Sequence, residues 1–358
     1  MKILVGMSGG VDSSVSAALL QQQGFEVVGG FIKNWSDSKD LWTGECQWRG
    51  ERRDALRVAA KLGIDLITFD FEKIYRESVV EELFKSYEVG ETPNPDVLCN
   101  EAIKFGIFFN EARRLGFDAI ATGHYARVYK DENDQAHLLR GLDENKDQSY
   151  FLYRISQEAL RRTFFPVGDL PKRRVRELAK EFHLPVANKP DSQGICFIGK
   201  LDMGEFLRKK IPSHPGDIVD PGGVVIGHHD GLDLYTIGQR HNIRIPSGQA
   251  WYVAKKDKQA NRLIVAPENH PLLFQDQASI HNLSWIGAAP ASLPCSVEVQ
   301  VRYRQAPVTV ILDQTIDMNV YRLRFSEPVK AVAAGQSAVL YHQDECLGGG
   351  ILFEAPGF

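Results

Sequence analysis

No apolar run in the 358 residues approaches the length of a membrane span, so no membrane-crossing helix is expected. Cysteine is sparse and scattered. Cys46, Cys99, Cys196, Cys295 and Cys346 are odd in number and contain no C-x-x-C pair, so neither a disulfide scaffold nor a zinc knuckle is indicated. A reducing, cytoplasmic home fits that usage. Excess positive charge is missing too: the net charge is −4, which does not advertise nucleic-acid binding. Internal repeats and low-complexity tracts are absent, and Met1-Lys2 leads straight into an apolar run, so no signal or transit peptide is expected. What is left, 43% hydrophobic and 25% charged, is ordinary for a soluble globular protein of two or three domains.

Against that plain background one stretch stands out: Gly6-Met7-Ser8-Gly9-Gly10-Val11-Asp12-Ser13. It follows Ile3-Leu4-Val5, which reads as a buried strand. It precedes Val11, Val15, Ala18 and Leu19 at helical spacing, a run that stops at Gly24. A strand, a tight turn and a helix N-terminus make an anion site, with Ser8 and Ser13 adding hydroxyls. The Gly-Lys-Ser/Thr ending of a Walker A loop is missing. The pattern instead resembles the pyrophosphatase loop, or PP-loop, of enzymes that split ATP into AMP and pyrophosphate.

Further strands are expected over residues 26–32, 66–69 and 119–122, and helices over 52–62, 75–87 and 98–115, which predicts a doubly wound parallel sheet with ligands at the strand C-terminal ends. Gly123 ends the fourth strand. Residues 127–140 read as a hairpin, 148–155 and 172–182 as helices, and 189–199 as polar loop. From Pro215 short alternating strands replace long helices, at 251–254, 262–266, 297–304, 308–312, 320–325 and 338–341. That texture predicts a small linker domain and then an antiparallel β-barrel, with spans of 1–200, 201–273 and 274–358.

Two cysteines carry candidate chemistry. In Thr92-Pro93-Asn94-Pro95-Asp96-Val97-Leu98-Cys99-Asn100, Asp96 is expected to cap the next helix, or to act as a catalytic acid or base. The cap would put Cys99 at the third helical position, where the dipole favours a thiolate; the plainer reading of Cys99 is a small core residue. Cys196 sits in a polar loop, Asp191-Ser192-Gln193-Gly194-Ile195-Cys196-Phe197-Ile198. Two such thiols beside an AMP-forming site suggest sulfur transfer. The segment from Arg161 to Lys180 is basic, and serves equally as a phosphate-binding face or a solvated one.

These motifs, with Lys33-Asn34-Trp35, Ala121-Thr122-Gly123-His124-Tyr125, Lys146-Asp147-Gln148-Ser149-Tyr150, Tyr235-Thr236-Ile237-Gly238-Gln239-Arg240 and Leu347-Gly348-Gly349-Gly350, resemble the tRNA-specific 2-thiouridylase family (MnmA/TrmU) along the whole chain. The resemblance implies an adenine-nucleotide α-hydrolase-like PP-loop domain using ATP with magnesium. Gly6, Met7, Ser8, Gly9, Gly10, Val11, Asp12, Ser13, residue Ile32 and Gly123 would hold ATP. Asn94, Pro95 and Asp96 would surround the target uridine, with Asp96 as acid/base. Cys196 would carry a persulfide received from a sulfur-carrier protein or a cysteine desulfurase. Cys99 would be the nucleophile that releases sulfide or forms a Cys99–Cys196 disulfide in turnover. His124, Lys146, Asp147, Gln148, Arg302, Tyr303 and Gln336 would contact tRNA, and the product would be 2-thiouridine at the wobble position of the tRNAs for Lys, Glu and Gln. Ile32 stands where the family has Met, and residues 241–246 replace a more Gly-rich stretch. Rival readings are an amidating synthetase with the same ATP chemistry, a non-catalytic nucleotide-dependent RNA-binding protein, and an iron–sulfur cluster on Cys99, Cys196 and Asp96.

Overall fold

The computed structural model describes residues 1–36, 46–191, 203–243, 245, 248–315 and 319–354. The N-terminal part alternates strand and helix: β1 Lys2–Gly6, α1 Val11–Gln22, β2 Glu26–Lys33, α2 Gln47–Leu62 and β3 Leu66–Asp70. A rod follows, made of α3 Glu72–Tyr75, a wide π turn Arg76–Val80 and α4 Glu81–Glu88. A second rod joins α5 Pro95–Cys99, a π stretch Asn100–Ile107 and α6 Phe108–Arg114. After β4 Ala119–Ala121 come a hairpin, β5 Ala126–Lys130 and β6 Ala136–Arg140, then α7 Gln157–Leu160, β7 Thr163–Phe164, α8 Lys172–Glu181 and α9 Met203–Leu207.

The first sheet runs β3-β2-β1-β4-β7, every pairing parallel. Alternate residues of a strand face opposite ways. Ile3 and Val5 therefore pack with Val11 and Val15 of α1, Ala55 of α2 and Val175 of α8. Leu4, Val28 and Ile32 meet Tyr75, Leu83, Cys99, Ile103 and Phe108 on the other face. Burial on both faces is why these strands read as unbroken apolar runs. The chain leaves β1 towards β2 on one side, while β4 lies on the other, so the crevice for a ligand opens at the end of β1.

A second, four-stranded sheet follows, from β8 Gly216–Val219, β9 Val225–His229, β10 Trp251–Asp257 and β11 Arg262–Pro267, in the order β10-β11-β8-β9. The last part holds β12 Phe274–Trp285, β13 Cys295–Gln300, β14 Val308–Gln314, β15 Val320–Lys330, β16 Ser337–His342 and β17 Glu345–Phe353. They pair antiparallel as β12-β15-β14-β13-β16-β17, and β17 returns to β12, closing a six-stranded barrel around Ile280, Val299, Leu312, Leu323 and Leu340. The outer side of β17 also takes β6, through Leu138 and Leu139 against Cys346 and Glu345, so the early hairpin is hydrogen-bonded to the barrel.

Three expectations need correction. The helix read over 148–155 is only a short 3-10 turn, Ser149–Phe151, because the buried Asp147 carboxylate takes the Ser149 N–H and hydroxyl. Asp96 does not cap α5: the cap is Asn94, whose side chain accepts from Val97 N at 3.3 Å, with Pro95 first in the helix. Cys99 is consequently the fifth helical residue, beyond the first turn that favours a thiolate. Of the polar loop expected over 189–199, residues 192–199 lie outside the described residues.

Candidate active site

The loop after β1 is shaped by close approach. Gly9 has φ +72°, and a Cβ there would stand 2.3 Å from the Glu51 carbonyl oxygen, so only glycine fits. Gly10 precedes α1 and offers no side-chain cap, which leaves the helix's first N–H groups for a ligand. The serines brace the turn: Ser13 Oγ accepts from Ser8 N at 3.2 Å, Ser8 Oγ accepts from Gly10 N at 3.3 Å, and Ser14 Oγ donates to Gly10 O at 2.6 Å. Met7 is buried and donates its N–H to Gly30 O of β2. Ile32 is buried near the end of β2. Two residues on, the buried Asn34 amide has no hydrogen-bond partner among the described residues. Gly123 presses on α1 from β4's side, since a Cβ would lie 2.6 Å from Ser13 N. The expected ATP residues from three strand ends thus share one crevice.

Charged groups missed in the sequence surround this loop. Lys172, the first residue of α8, places Nζ 2.6 and 2.8 Å from the Asp12 carboxylate oxygens and 3.0 Å from Asp191. The Tyr125 hydroxyl donates to Asp12 at 2.9 Å; burial, then the Asp12 charge, push its pKa far up, so it stays a donor. Lys189 Nζ reaches Gly9 O at 2.9 Å and Asp54 at 2.7 Å. Burial pushes Asp191 up, but hydrogen bonds from Lys146 and Lys172 outweigh it and hold the carboxyl well below its ordinary range. Burial pushes Glu51 up to about 7. Lys172 and Lys189 were legible only as members of a basic run and a polar loop.

The second half is the Thr92–Cys99 segment. The barrel and the second sheet both grip its entrance. Thr92 N donates to Ala334 O at 2.9 Å, Gln336 Nε2 donates to Thr92 O at 2.7 Å, and the Thr92 and Thr236 hydroxyls share a hydrogen bond of 3.1 Å. Lys256 of β10 donates to Gly90 O at 3.1 Å. Asp96 is half-buried, and Cys99 is 0% exposed on the face of the rod that packs under the parallel sheet. Cys196 lies outside the described residues, so Cys99 is the one of the two thiols that is located.

The residues expected to touch tRNA divide. His124 is 8% exposed, sharing hydrogen bonds with Thr122 at 2.7 Å and Lys104 at 3.3 Å; burial holds its pKa well below the usual value, so the ring is neutral. Asp147 is buried under Arg140, Gly141 and Ser149. Gln148 Oε1 accepts from Tyr125 N at 3.0 Å, and Lys146 pairs with Asp191 at 2.8 Å. Arg302 donates to Ile237 O, and Tyr303 packs on Phe151 with ring centroids 4.5 Å apart. In the basic stretch Arg173, Arg174 and Arg176 are paired with Glu177, Glu181 and Asp191.

The chain matches three family models in succession: a tRNA methyl transferase HUP domain over residues 1–200, a tRNA methyl transferase PRC-barrel domain over 204–267, and an aminomethyltransferase β-barrel domain over 275–352. Its curated relatives carry a different name. It is 46% identical to the tRNA-specific 2-thiouridylase MnmA of Cupriavidus pinatubonensis, over 99% of both chains. The chain belongs to the tRNA-specific 2-thiouridylase MnmA family. The MnmA of Chromobacterium violaceum is 48% identical over 98% of this chain and 92% of its own, and that of Francisella philomiragia 46% over 98% and 99%. Membership agrees with the three-part fold, and the loop and the capped segment fall on the motifs that carry the family resemblance.

Proposed function

We propose that this chain thiolates the wobble uridine of the tRNAs for Lys, Glu and Gln, dividing as residues 1–200 for ATP chemistry, 201–273 as linker and 274–358 as barrel. Uridine O2 attacks the α-phosphorus of ATP held on residues 6–13, Ile32 and Gly123, and pyrophosphate leaves. The terminal sulfur of a Cys196 persulfide then bonds to C2, and AMP departs with the former carbonyl oxygen. Cys99 attacks the inner sulfur, so a Cys99–Cys196 disulfide forms while the transferred sulfur keeps the electron pair of the broken S–S bond. A thiol reductant afterwards restores both cysteines. Asp96 takes and returns the proton at the base, which Asn94 and Pro95 surround.

The carrying observation is the grip on the Thr92–Cys99 segment, capped by Asn94 and tied to the barrel by Gln336 and to the loop before β10 by Thr236. Such a segment sits still while a flipped base is held beside it. Gln336, Arg302 and Tyr303 from the barrel, with His124 and Lys146 to Gln148 from the first domain, are assigned to the anticodon arm; His124 and Asp147 are buried, so the partly exposed members of the set are the ones that face solvent. Magnesium suits the chemistry, since it would neutralise phosphate charge on the bound ATP. The persulfide comes from a sulfur carrier or desulfurase. The reaction belongs in a reducing compartment, the cytoplasm, and among the described residues no helix is long and apolar enough to cross a membrane.

The test is nucleoside mass spectrometry of tRNA incubated with the protein, ATP, magnesium and a persulfide donor, beside Cys99→Ser and Cys196→Ser. A 2-thiouridine peak in wild type that disappears in both variants is expected. Released AMP without any thiolated nucleoside would replace this reading with an amidating synthetase, and RNA binding without AMP would leave a nucleotide-dependent RNA-binding protein.

A further inference from the structure

A phosphate loop of the Walker kind carries its own lysine, and this loop has none. The fold brings one from 160 residues away. Lys172 opens α8, its backbone N–H fixed by Asp143 Oδ2 at 2.9 Å. Its side chain is 14% exposed and lies beside the Tyr125 ring, 5.6 Å from the centroid. The ammonium rests on Asp12, the second residue of α1, and so stands at the positive end of that helix beside the loop. Lys189 approaches the loop independently through Gly9 O.

A lysine serving only to neutralise Asp12 needs one carboxylate. Lys172 touches two, and Asp12 keeps a second donor in the Tyr125 hydroxyl. An ammonium has three protons to place. One can leave Asp12 for a phosphate oxygen without stranding the carboxylate, because Tyr125 still donates to it.

We propose that Lys172 is a catalytic residue that binds the pyrophosphate half of ATP and stabilises it as it leaves. The assignment rests on the adenylation reading above. When uridine O2 bonds to the α-phosphorus, the bond from that phosphorus to the bridging oxygen breaks, and its electron pair stays on pyrophosphate. Negative charge grows on the bridging oxygen, and Lys172 donates a hydrogen bond to it. A fixed donor aimed at developing charge changes a rate by about 10²- to 10³-fold.

The test compares wild type, Lys172→Met, Lys172→Arg and Tyr125→Phe in two measurements: dissociation constants for ATP and for AMP by calorimetry, and single-turnover pyrophosphate release with tRNA. For Lys172→Met the expectation is AMP affinity within about twofold of wild type, ATP affinity at least about tenfold weaker, and pyrophosphate release about 10²-fold slower or more. Lys172→Arg recovers at least about tenfold of that rate, since the charge is kept. Tyr125→Phe, which acts only through Asp12, shifts ATP and AMP together. Equal weakening of ATP and AMP by Lys172→Met reduces Lys172 to a structural partner of Asp12, as does a rate within threefold of wild type. Should Lys172→Met not fold, the ratio of ATP to AMP affinity in Lys172→Arg decides: a changed ratio supports the assignment and an unchanged one overturns it. Wild type that releases no pyrophosphate with tRNA overturns the adenylation reading itself, and this assignment with it.

Discussion

Glu51→Gln should stabilise the protein above neutral pH and do little below pH 5. Glu51 lies on α2 with its carbonyl oxygen against Gly9 and its carboxyl near Lys189 and Asp54. Burial raises that carboxyl from 4.5 to about 7, the Lys189 charge opposing and Asp54 adding to the shift. The unfolded chain loses the proton near 4.5 and the folded chain near 7, so between those values the folded state binds more protons. Stability then falls as pH rises through that window, and the whole penalty is present above pH 7. At about 1.4 kcal/mol per tenfold in proton affinity, the shift is worth about 3 kcal/mol. Solvent reaches part of the half-buried side chain and screens it, so ~1–3 kcal/mol is the expected gain from glutamine at pH 8, falling below ~1 kcal/mol at pH 5. Urea unfolding of both proteins from pH 5 to pH 8, followed by circular dichroism, measures the difference. A gap that stays constant with pH, or a glutamine variant that is the less stable at pH 8, would refute the reasoning.

Gly123→Ala sets a methyl 2.6 Å from Ser13 N, a clash with backbone worth ~1–3 kcal/mol, and is expected to weaken ATP binding about tenfold in a calorimetric titration. Gln336→Ala removes the hydrogen bond to Thr92 O, worth about 1 kcal/mol; it should raise KM for tRNA about fivefold and leave AMP affinity alone, and steady-state kinetics will tell. Asp147→Ala strips the partner from Arg140, which lies over the buried Tyr341 ring, and should cost about 3 kcal/mol in chemical denaturation.

The sequence announces the parts whose cause is local. Gly9, the serines and the apolar residues on either side specify strand, turn and helix within about twenty residues, and the loop is where they put it. The start of α5 was as local and still misread, because Asn94 and Asp96 are both good caps. Pro95 was the signal that separates them, since proline favours the first helical position and so points to the residue before it. β17 hid behind Gly348-Gly349-Gly350, which look like a break. A Cβ at Gly349 would lie 2.5 Å from Ala338 O and 2.9 Å from the Tyr153 ring, so the glycine is there for close approach. Lys172 on Asp12 and Gln336 on Thr92 join residues 160 and 244 apart, and no periodicity reports a partner at that range.

The hairpin of β5 and β6 has a consequence in time. Its outer edge pairs with Glu345 and Cys346, near the very end of the described chain. A ribosome that has just made Arg140 must add 205 more residues before Glu345 exists, about 10 to 40 s at about 5–20 residues per second. Throughout that interval the growing nucleotide domain carries an open strand edge, the kind of edge that recruits foreign strands. The last strand of the barrel is therefore also the cover that completes the first domain.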